Sequence, residues 1–460
     1  ITIPDSVTNI GDSVFNGCTK LSLVNLSNNL LSIAAQAFNG CSALQTMTLP
    51  NTVTTIGAQA FNGCSALQTI NIPDGVTNIS NNTFSGCSEL LTMTLPDGVT
   101  TIGEQAFYEC FKMTSVNIPN NVTSIGKEAF YSCRAMQTLT LPTNSNFTTI
   151  EEKAFYNCIA LQTLTIPDNI TIINKQAFAY SYGIQGTVNT GNNVTTIGDN
   201  AFTGCNLIEG IILGSALTSA NIGVEPFSNM GTSLTSIDVK SDIIIDYFLF
   251  TYFRRSYNNL RTLIFSDNVL SIGNFACINT QSLQNVTMSN NITSIGIEAF
   301  NSCISLTSIV IPNGVTVINN SVFRNTGLTT ITIPENVTSI GSYAFDQCSS
   351  LTSLNIPDNV ININNYAFSN CTSMITATIG DGVTSIGQYA FYYCTALQTV
   401  SIGNSVTNID EYAFNDCTDL RSLTIGDSLT TIGPNAFFNC IDLEPFTLPD
   451  SLTTIDNRAF

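Results

Sequence analysis

One short pattern recurs from one end of the chain to the other and constrains the fold more than any other feature. Its fullest form is NVTSIGSYAF at residues 336–345, followed by Cys348. Most copies are separated by the interval between Phe38 and Phe61, and the remaining intervals are slightly shorter or longer. A repeat of this length predicts a solenoid, in which each unit buries its apolar face against its neighbours. The aromatic anchors predicted from this spacing are Phe15, Phe38, Phe61, Phe84, Phe107, Phe130, Phe155, Phe178, Phe202, Phe227, Phe250, Phe275, Phe300, Phe323, Phe345, Phe368, Phe391, Phe414, Phe437 and Phe460.

The repeat also sets the expected domain organisation. A chain of 460 residues would otherwise suggest about three domains. We instead predict one continuous solenoid of about 20 repeats over residues 1–460, regular over 1–179, irregular over 180–260 and regular again over 261–460. The sequence begins and ends inside a repeat without a recognisable polar capping unit, so we expect it to be a piece of a longer protein.

The first half of one unit predicts a short strand. In LQTMTL, at residues 44–49, Leu44, Met47 and Leu49 are apolar and are expected to point inward, while the polar residues between them face solvent. Pro50 cannot donate a ladder hydrogen bond, so the strand is expected to end there. The polar positions of these strands form a candidate concave binding face, which comprises Gln45, Thr46, Thr48, Gln68, Thr69, Gln137, Thr138, Thr140, Gln162, Thr163 and Thr165.

The second half of the unit returns the chain to the core. Val53 and Ile56 are predicted to point inward. Gly57 is predicted to supply either a positive φ or a close approach between turns. Phe61 then fills the centre of the unit, and Cys64 closes it.

The full pattern, I-P-x-x-V-T-x-I-G-x-x-A-F-x-x-C-x-x-L, resembles the BspA-like branch of the leucine-rich repeats, found in bacterial surface proteins and in parasitic protists. The resemblance covers nearly the whole chain. It implies a leucine-rich-repeat right-handed superhelix with short parallel strands on its concave face and short strand, turn or 3₁₀ segments on the other faces. It also implies a non-enzymatic binding protein or adhesin, located outside the cell or on its surface, whose partner is a protein or glycan of another cell or of the matrix.

The pattern weakens between residues 180 and 260. The segment IIIDYFLFTYFRRSYNN, at residues 243–259, concentrates aromatic residues beside two arginines. Both residue types are enriched in interface hot spots. We therefore predict a candidate binding patch of Tyr247, Tyr252, Arg254, Arg255 and Tyr257. The alternative is a degenerate repeat whose extra rings pack inside the core.

Fourteen of the fifteen cysteines occupy one repeat position, and Cys277 is expected to be an early member of the same row. Parallel stacking would hold neighbouring Cβ atoms about 5 Å apart, whereas a disulfide prefers about 3.8 Å. The row therefore predicts buried free thiols that act as small apolar filler. Histidine and C-x-x-C pairs are absent, so we predict neither a metal site nor a cofactor.

The composition of the chain argues against several classes of function. A formal charge of −19 with only 13 basic residues argues against nucleic acid and anionic membrane surfaces as partners. The sequence has no apolar run long enough to cross a bilayer, so no direct membrane insertion is predicted for this segment. Without histidine, no Ser-His-Asp or Cys-His arrangement can form, and we predict no enzymatic activity. Acidic pairs such as Glu151 and Glu152 are predicted to lie on solvated corners.

Asn-x-Thr sequons are candidate glycosylation sites if the chain passes through a eukaryotic secretory pathway. Many arise because asparagine often precedes the Val-Thr of the repeat, and examples are Asn121, Asn169, Asn193, Asn291 and Asn336.

Two further functions compete with the adhesin. In one, the chain associates head to tail and builds a filament or surface layer. In the other, outward Thr-x-Thr ladders such as Thr46 and Thr48 bind ice. A curved sheet, with interruptions at Asn71 and Asn117, argues against the flat regular array that ice requires.

Overall fold

A computed structural model describes residues 1–241 and 258–460 and shows a parallel-strand β-solenoid of about 19 turns in this part of the chain. This confirms the predicted fold class. The described residues form two compact units, residues 1–234 and residues 235–241 with 258–460. That the chain behaves as one continuous domain stays a prediction. The candidate patch of Tyr247, Tyr252, Arg254, Arg255 and Tyr257 lies outside the described residues.

Most turns contribute a leucine-segment strand, so named because it comes from the L-x-x-L-x-L part of the repeat. The equivalent segments at residues 137–141, 161–166, 306–311 and 328–333 form no strand. The side chains of a leucine-segment strand alternate between exposed and buried, as in Thr92–Thr94, where Met93 is 2% exposed. In the first unit these strands are Thr46–Met47, Thr69–Ile70, Thr92–Thr94, Ser115–Asn117, Gln185–Asn189 and Leu207–Leu213. In the second unit they are Ser236–Val239, Thr262–Phe265, Asn285–Met288, Ser353–Ile356, Thr376–Ile379, Thr399–Ile402 and Ser422–Ile425. Pairing is parallel and joins equivalent positions of neighbouring turns, such as Thr46 with Thr69.

A second series, the valine-segment strands, comes from V-T-x-I. Each strand is two residues long, and its isoleucine points into the core in nearly every turn. In the first unit these strands are Asn9–Ile10, Ser32–Ile33, Thr55–Ile56, Asn78–Ile79, Thr101–Ile102, Ser124–Ile125, Thr149–Ile150, Ile172–Ile173 and Thr196–Ile197. In the second unit they are Ser271–Ile272, Ser294–Ile295, Val317–Ile318, Ser339–Ile340, Asn362–Ile363, Ser385–Ile386, Asn408–Ile409, Thr431–Ile432 and Thr454–Ile455. The one helical segment among the described residues is a 3₁₀ helix at Ser219–Asn221.

The third side of each turn is a phenylalanine turn, which carries the anchor ring into the core. The rings of Phe38 and Phe61 are fully buried and stack with centroids 5.4 Å apart and planes 3° apart. Two left-handed backbone positions flank the described anchors from Phe15 to Phe437, as at Gln59 (φ 59°) and Gly63 (φ 69°) around Phe61. They bend the chain around the ring, although left-handed backbone costs a non-glycine residue about 1 kcal/mol.

Of the two roles predicted for Gly57, the structure shows the close approach between turns. A Cβ atom at Gly57 would lie 2.5 Å from the backbone nitrogen of Ala35 in the preceding turn. Such an approach excludes any side chain, so Gly57 is required by inter-turn packing. The positive φ of this segment falls two residues later, at Gln59.

Among the described residues one predicted anchor is wrong, and the predicted anchor Phe250 lies outside them. Phe275 has a φ of 59°, which is typical of the position two residues before an anchor. The amide of Cys277 donates to Ala299 O at 2.7 Å, as the amide of Phe300 donates to Val322 O at 2.9 Å. Cys277 is therefore the buried anchor of this turn. The reason is spacing, because Cys277 follows Ile272 by the same five positions that separate Phe61 from Ile56.

Burial of the cysteines agrees with the predicted thiol row, apart from Cys277, which is an anchor. All fifteen are free, and all but Cys18 and Cys440 are buried. Thr280 replaces cysteine in the turn anchored by Cys277, because it lies three residues after the anchor and is buried. Burial, followed by the nearby Cys41, raises the pKa of Cys64 to about 12.

Candidate binding surface

The leucine-segment side of the solenoid presents an uncharged polar row. All eleven residues predicted for the candidate face are exposed, while Leu44, Met47 and Leu49 beneath them are buried. Parallel pairing in register places like residues next to one another, so Thr46 lies beside Thr69. The row offers hydroxyl and amide groups that can both donate and accept hydrogen bonds. That these residues bind a partner stays a prediction.

Several grooves lie along this row in the first unit, and two of them are lined by four threonines each. The first encloses about 560 Å³ and is lined by four threonines, Thr48, Thr69, Thr92 and Thr94, together with the carboxylate of Asp74 and apolar neighbours. It spans three consecutive turns. Hydroxyl groups, one carboxylate and apolar floor residues suit a neutral polar ligand.

The second groove encloses about 620 Å³ and includes three predicted residues, Thr140, Thr163 and Thr165. It lies where the interval between anchors is lengthened, from Phe130 to Phe155. The Pro167 and Asp168 corner closes one side, and buried leucines form its floor. This groove therefore coincides with the longer turn, while the first groove lies on turns of regular length.

The predicted sequons have a structural role. The amide Nδ2 of Asn121 donates to Asp97 O at 2.9 Å, and the hydroxyl of Thr123 donates to Thr100 O at 3.2 Å. Both bonds reach the preceding turn, and equivalent pairs of bonds occur at the sequons of Asn193, Asn291 and Asn336. The Asn-x-Thr spacing thus satisfies inter-turn carbonyls, whether or not glycans are attached.

Asn169 differs from the other four sequon asparagines. It is half-buried, and its Nδ2 donates to Pro142 O at 3.1 Å and also to Phe147 O. Both amide hydrogens are therefore engaged by backbone carbonyls.

The predicted acidic corners are less solvated than expected. Glu151 accepts a bond from Asn174 Nδ2 at 3.0 Å, and Glu152 pairs with Lys127 Nζ at 3.2 Å. Both carboxylates are half-buried and join neighbouring turns.

One surface feature was missed in the sequence. Four tyrosines of the second unit stack on the phenylalanine turns and form a tyrosine ladder of Tyr343, Tyr366, Tyr389 and Tyr412. They occupy the left-handed position two residues before the anchor. Their recurrence at one position in four consecutive repeats is the signal that could have revealed them.

A match to one known protein family covers almost the whole chain. The family described as "BspA type Leucine rich repeat region" matches in six overlapping copies, at residues 1–112, 56–185, 100–227, 184–258, 220–352 and 338–460. No curated protein sequence matches the chain significantly.

Solved structures with similar sequences are also leucine-rich repeat proteins. One from Bacteroides ovatus is 26% identical, with 85% of this chain and 87% of that chain covered and a TM-score of 0.47. A leucine rich cell surface protein from Faecalibacterium prausnitzii is 25% identical, with 86% and 83% covered and a TM-score of 0.30. A leucine-rich repeat protein from T. pallidum is 24% identical, with 40% and 78% covered and a TM-score of 0.31.

Two other features bear on the site. No helix in residues 1–241 or 258–460 has the length and apolar content needed to cross a bilayer. Over the same ranges, no three cysteine or acidic side chains cluster so that they could hold a metal ion.

Proposed function

Because the chain belongs to the BspA-type leucine-rich repeat family, we propose that it is a non-enzymatic binding scaffold that acts outside the cell or on its surface as an adhesin. Leucine-rich repeat proteins are generally protein-binding scaffolds without enzymatic activity. Members of the BspA-like branch are cell-surface proteins, which supports the proposed location.

The observation that carries the proposal is the exposed row of glutamine and threonine on the leucine-segment side. Its eleven residues include no charged side chain, and charged residues are depleted at the centres of protein interfaces. Buried apolar residues fix the backbone that carries the row, so little backbone order has to be created when a partner binds. A protein ligand of the matrix or of another cell fits this surface best.

Paired lysine substitutions on two sides of the same turns test the proposal. The first variant, Thr46→Lys with Thr69→Lys, places charges on leucine-segment strands. The matched control, Thr55→Lys with Asn78→Lys, changes exposed positions of valine-segment strands in the same region. Each variant and the wild-type chain are applied to immobilised matrix proteins, mucins and host cells, and binding is followed by biolayer interferometry.

Saturable wild-type binding that is lost in the first variant and kept in the control supports the leucine-segment row as the binding surface. Equal behaviour of the two variants would reject this surface. Absence of binding to every member of the panel would count against an adhesin.

The filament and ice-binding hypotheses stay predictions. Sedimentation velocity at increasing protein concentration tests head-to-tail association, and thermal hysteresis tests ice binding.

A further inference from the structure

The tyrosine ladder gives the second unit an aromatic surface on its phenylalanine turns. Successive ring centroids are 4.7, 4.6 and 4.8 Å apart, with interplanar angles of 6°, 4° and 9°. Tyr392 meets Tyr389 edge-on at 5.6 Å, and Tyr393 lies 6.0 Å from Tyr392. Tyr393 is 45% exposed and Tyr343 is 37% exposed. Tyrosine is among the residues most enriched at interface hot spots.

This aromatic surface lies in a long segment of the chain whose charged residues are all acidic. Residues 325–420 contain no lysine or arginine. They contain eight carboxylates, namely Glu335, Asp346, Asp358, Asp381, Asp410, Glu411, Asp416 and Asp419. Burial first, and then neighbouring tyrosines and the carboxylates of Asp346 and Glu411, raise the pKa of Tyr366. Acidic groups therefore lie close to the ladder itself, and a cationic partner is complementary to it.

The ladder already holds one guanidinium group. Arg324 Nε donates to Asp346 Oδ2 at 2.9 Å, and the guanidinium carbon lies 5.6 Å from the centre of the Tyr343 ring. The side chain of Asp346 is only 4% exposed, whereas that of Arg324 is 39% exposed, so only the carboxylate of this contact is shielded from water. The arrangement shows how a guanidinium is bound here, against a ring at the first end of the ladder and bonded to a carboxylate of the neighbouring turn.

A tyrosine and a carboxylate also lie in consecutive turns farther along the segment, at a repeat position different from those of Tyr343 and Asp346. Tyr393 and Asp416 occupy the same repeat position in consecutive turns. Asp416 Oδ1 accepts a bond from Asn439 Nδ2 at 2.6 Å, which leaves the second carboxylate oxygen for a ligand. We propose that the tyrosine ladder, with Tyr392 and Tyr393, is a docking surface for an arginine-bearing segment of a partner protein, whose guanidinium binds between Tyr393 and Asp416.

Arginine fits this surface better than lysine. Its planar guanidinium stacks on an aromatic ring and bonds to a carboxylate at the same time, whereas an ammonium group is a strongly hydrated point charge. This proposal goes beyond the leucine-segment row, and neither surface requires the other.

Two synthetic peptides provide the probe. Each has a flexible Gly-Ser backbone, one with four arginines and the other with four lysines at the same positions. Calorimetric titration of the full chain should show the arginine peptide binding at least about fivefold more tightly than the lysine peptide. Tyr393→Ala and Asp416→Asn should each weaken binding of the arginine peptide by about fivefold or more.

Two matched variants separate a specific site from the general negative field. Glu335→Gln removes one charge from the same acidic segment, and Tyr182→Ala removes a tyrosine that is 42% exposed in the first unit. Both should leave binding of the arginine peptide unchanged, as should the Thr46→Lys, Thr69→Lys variant. Equal affinity for the two peptides, an equal loss in Glu335→Gln and Asp416→Asn, or no binding of the arginine peptide would overturn the proposal.

Discussion

The thiol of Cys64 donates a hydrogen bond to the carbonyl oxygen of Phe38, the anchor of the preceding turn, at 3.1 Å. The same bond joins Cys87 to Phe61 at 3.2 Å. Phe38 O already accepts a bond from the amide of Cys41 in its own turn at 3.1 Å. Each such cysteine therefore fills a small apolar space and adds a second hydrogen bond, from the next turn, to the same carbonyl. The thiol row contributes to packing between turns.

Thiol reactivity should follow this burial. Only Cys18, which is exposed, and Cys440, which is partly exposed, are expected to react with a water-soluble disulfide reagent in the folded protein. Counting thiols by absorbance before and after denaturation measures this. Rapid modification of an interior residue such as Cys64 in the native protein would contradict the prediction.

Stability should fall in alkaline solution. The ordinary pKa of a cysteine is 9.0, while burial raises that of Cys64 to about 12. The folded state therefore keeps its proton after the unfolded state has lost it, so the contribution of this thiol is fully present below about pH 9 and is lost as the pH rises toward 12. Each such thiol should remove about 1.4 kcal/mol per pH unit in this window.

Urea unfolding at several pH values between about 8 and 10.5 measures this slope. In a Cys64→Ala variant the decline with pH should be shallower by the contribution of one thiol. Identical slopes in the two proteins would show that the thiol keeps an ordinary pKa.

Loss of one central ring should be severe. The ring of Phe107 is fully buried, and its centroid lies 5.5 Å from that of Phe84 and 5.2 Å from that of Phe130. Phe107→Ala should lower the free energy of unfolding by about 3–5 kcal/mol. Phe438→Ala is the control, because Phe438 is 42% exposed. Comparable losses in the two variants, measured by chemical denaturation, would mean that the stack is not the source of stability.

Two glycines should respond differently to alanine. A Cβ atom at Gly63 would have its nearest neighbour 3.6 Å away, so Gly63→Ala should cost only its left-handed conformation (φ 69°), about 1 kcal/mol. At Gly57 the Cβ would lie 2.5 Å from Ala35 N, and two turns would have to separate. Gly57→Ala should therefore have the lower melting temperature of the two. The reverse order would contradict the close approach.

The sequon asparagines should separate into two classes. Asn169 donates two bonds to carbonyls of the preceding turn, whereas Asn121 donates one. Asn169→Ala should therefore destabilise the chain more, with each lost bond worth about 1 kcal/mol. After expression in a eukaryotic secretory host, glycans on folded material should be found at Asn121 in preference to Asn169. Intact-peptide mass spectrometry measures occupancy, and full occupancy of Asn169 in stable protein would refute the distinction.

The repeat made much of the fold predictable because each turn solves the same packing problem. The inward positions of Val53 and Ile56, the stacked Phe61 and the buried thiols all follow from one averaged pattern. In the turn around Cys277, aromatic character points to Phe275 as the anchor, whereas the distance from Ile272 identifies Cys277. The left-handed position two residues before the anchor is not predictable from the averaged repeat pattern, because glutamine, asparagine, glutamate and tyrosine all occur there.

The candidate surfaces were predictable only in part. Alternation of polar and apolar residues placed Thr46 and Thr69 on the outside, since a strand exposes every second side chain. Exposure alone does not identify a ligand. The tyrosine ladder depends on side chains from successive turns, and its significance becomes visible only when Arg324 is seen against Tyr343.

The lengthened turn between Phe130 and Phe155 has a consequence for how the chain finds its native alignment. Regular turns are chemically interchangeable, so a chain that paired Thr46 with the strand two turns away would keep most of its contacts. A turn of greater length packs well only against its native neighbours. The ion pairs from Lys127 to Glu152 and from Lys153 to Glu128 likewise form only in the native alignment. Irregular turns thus specify which turns pair in a nearly periodic molecule. Replacing them with the consensus repeat should increase misaligned folding, even where the replacement adds stability.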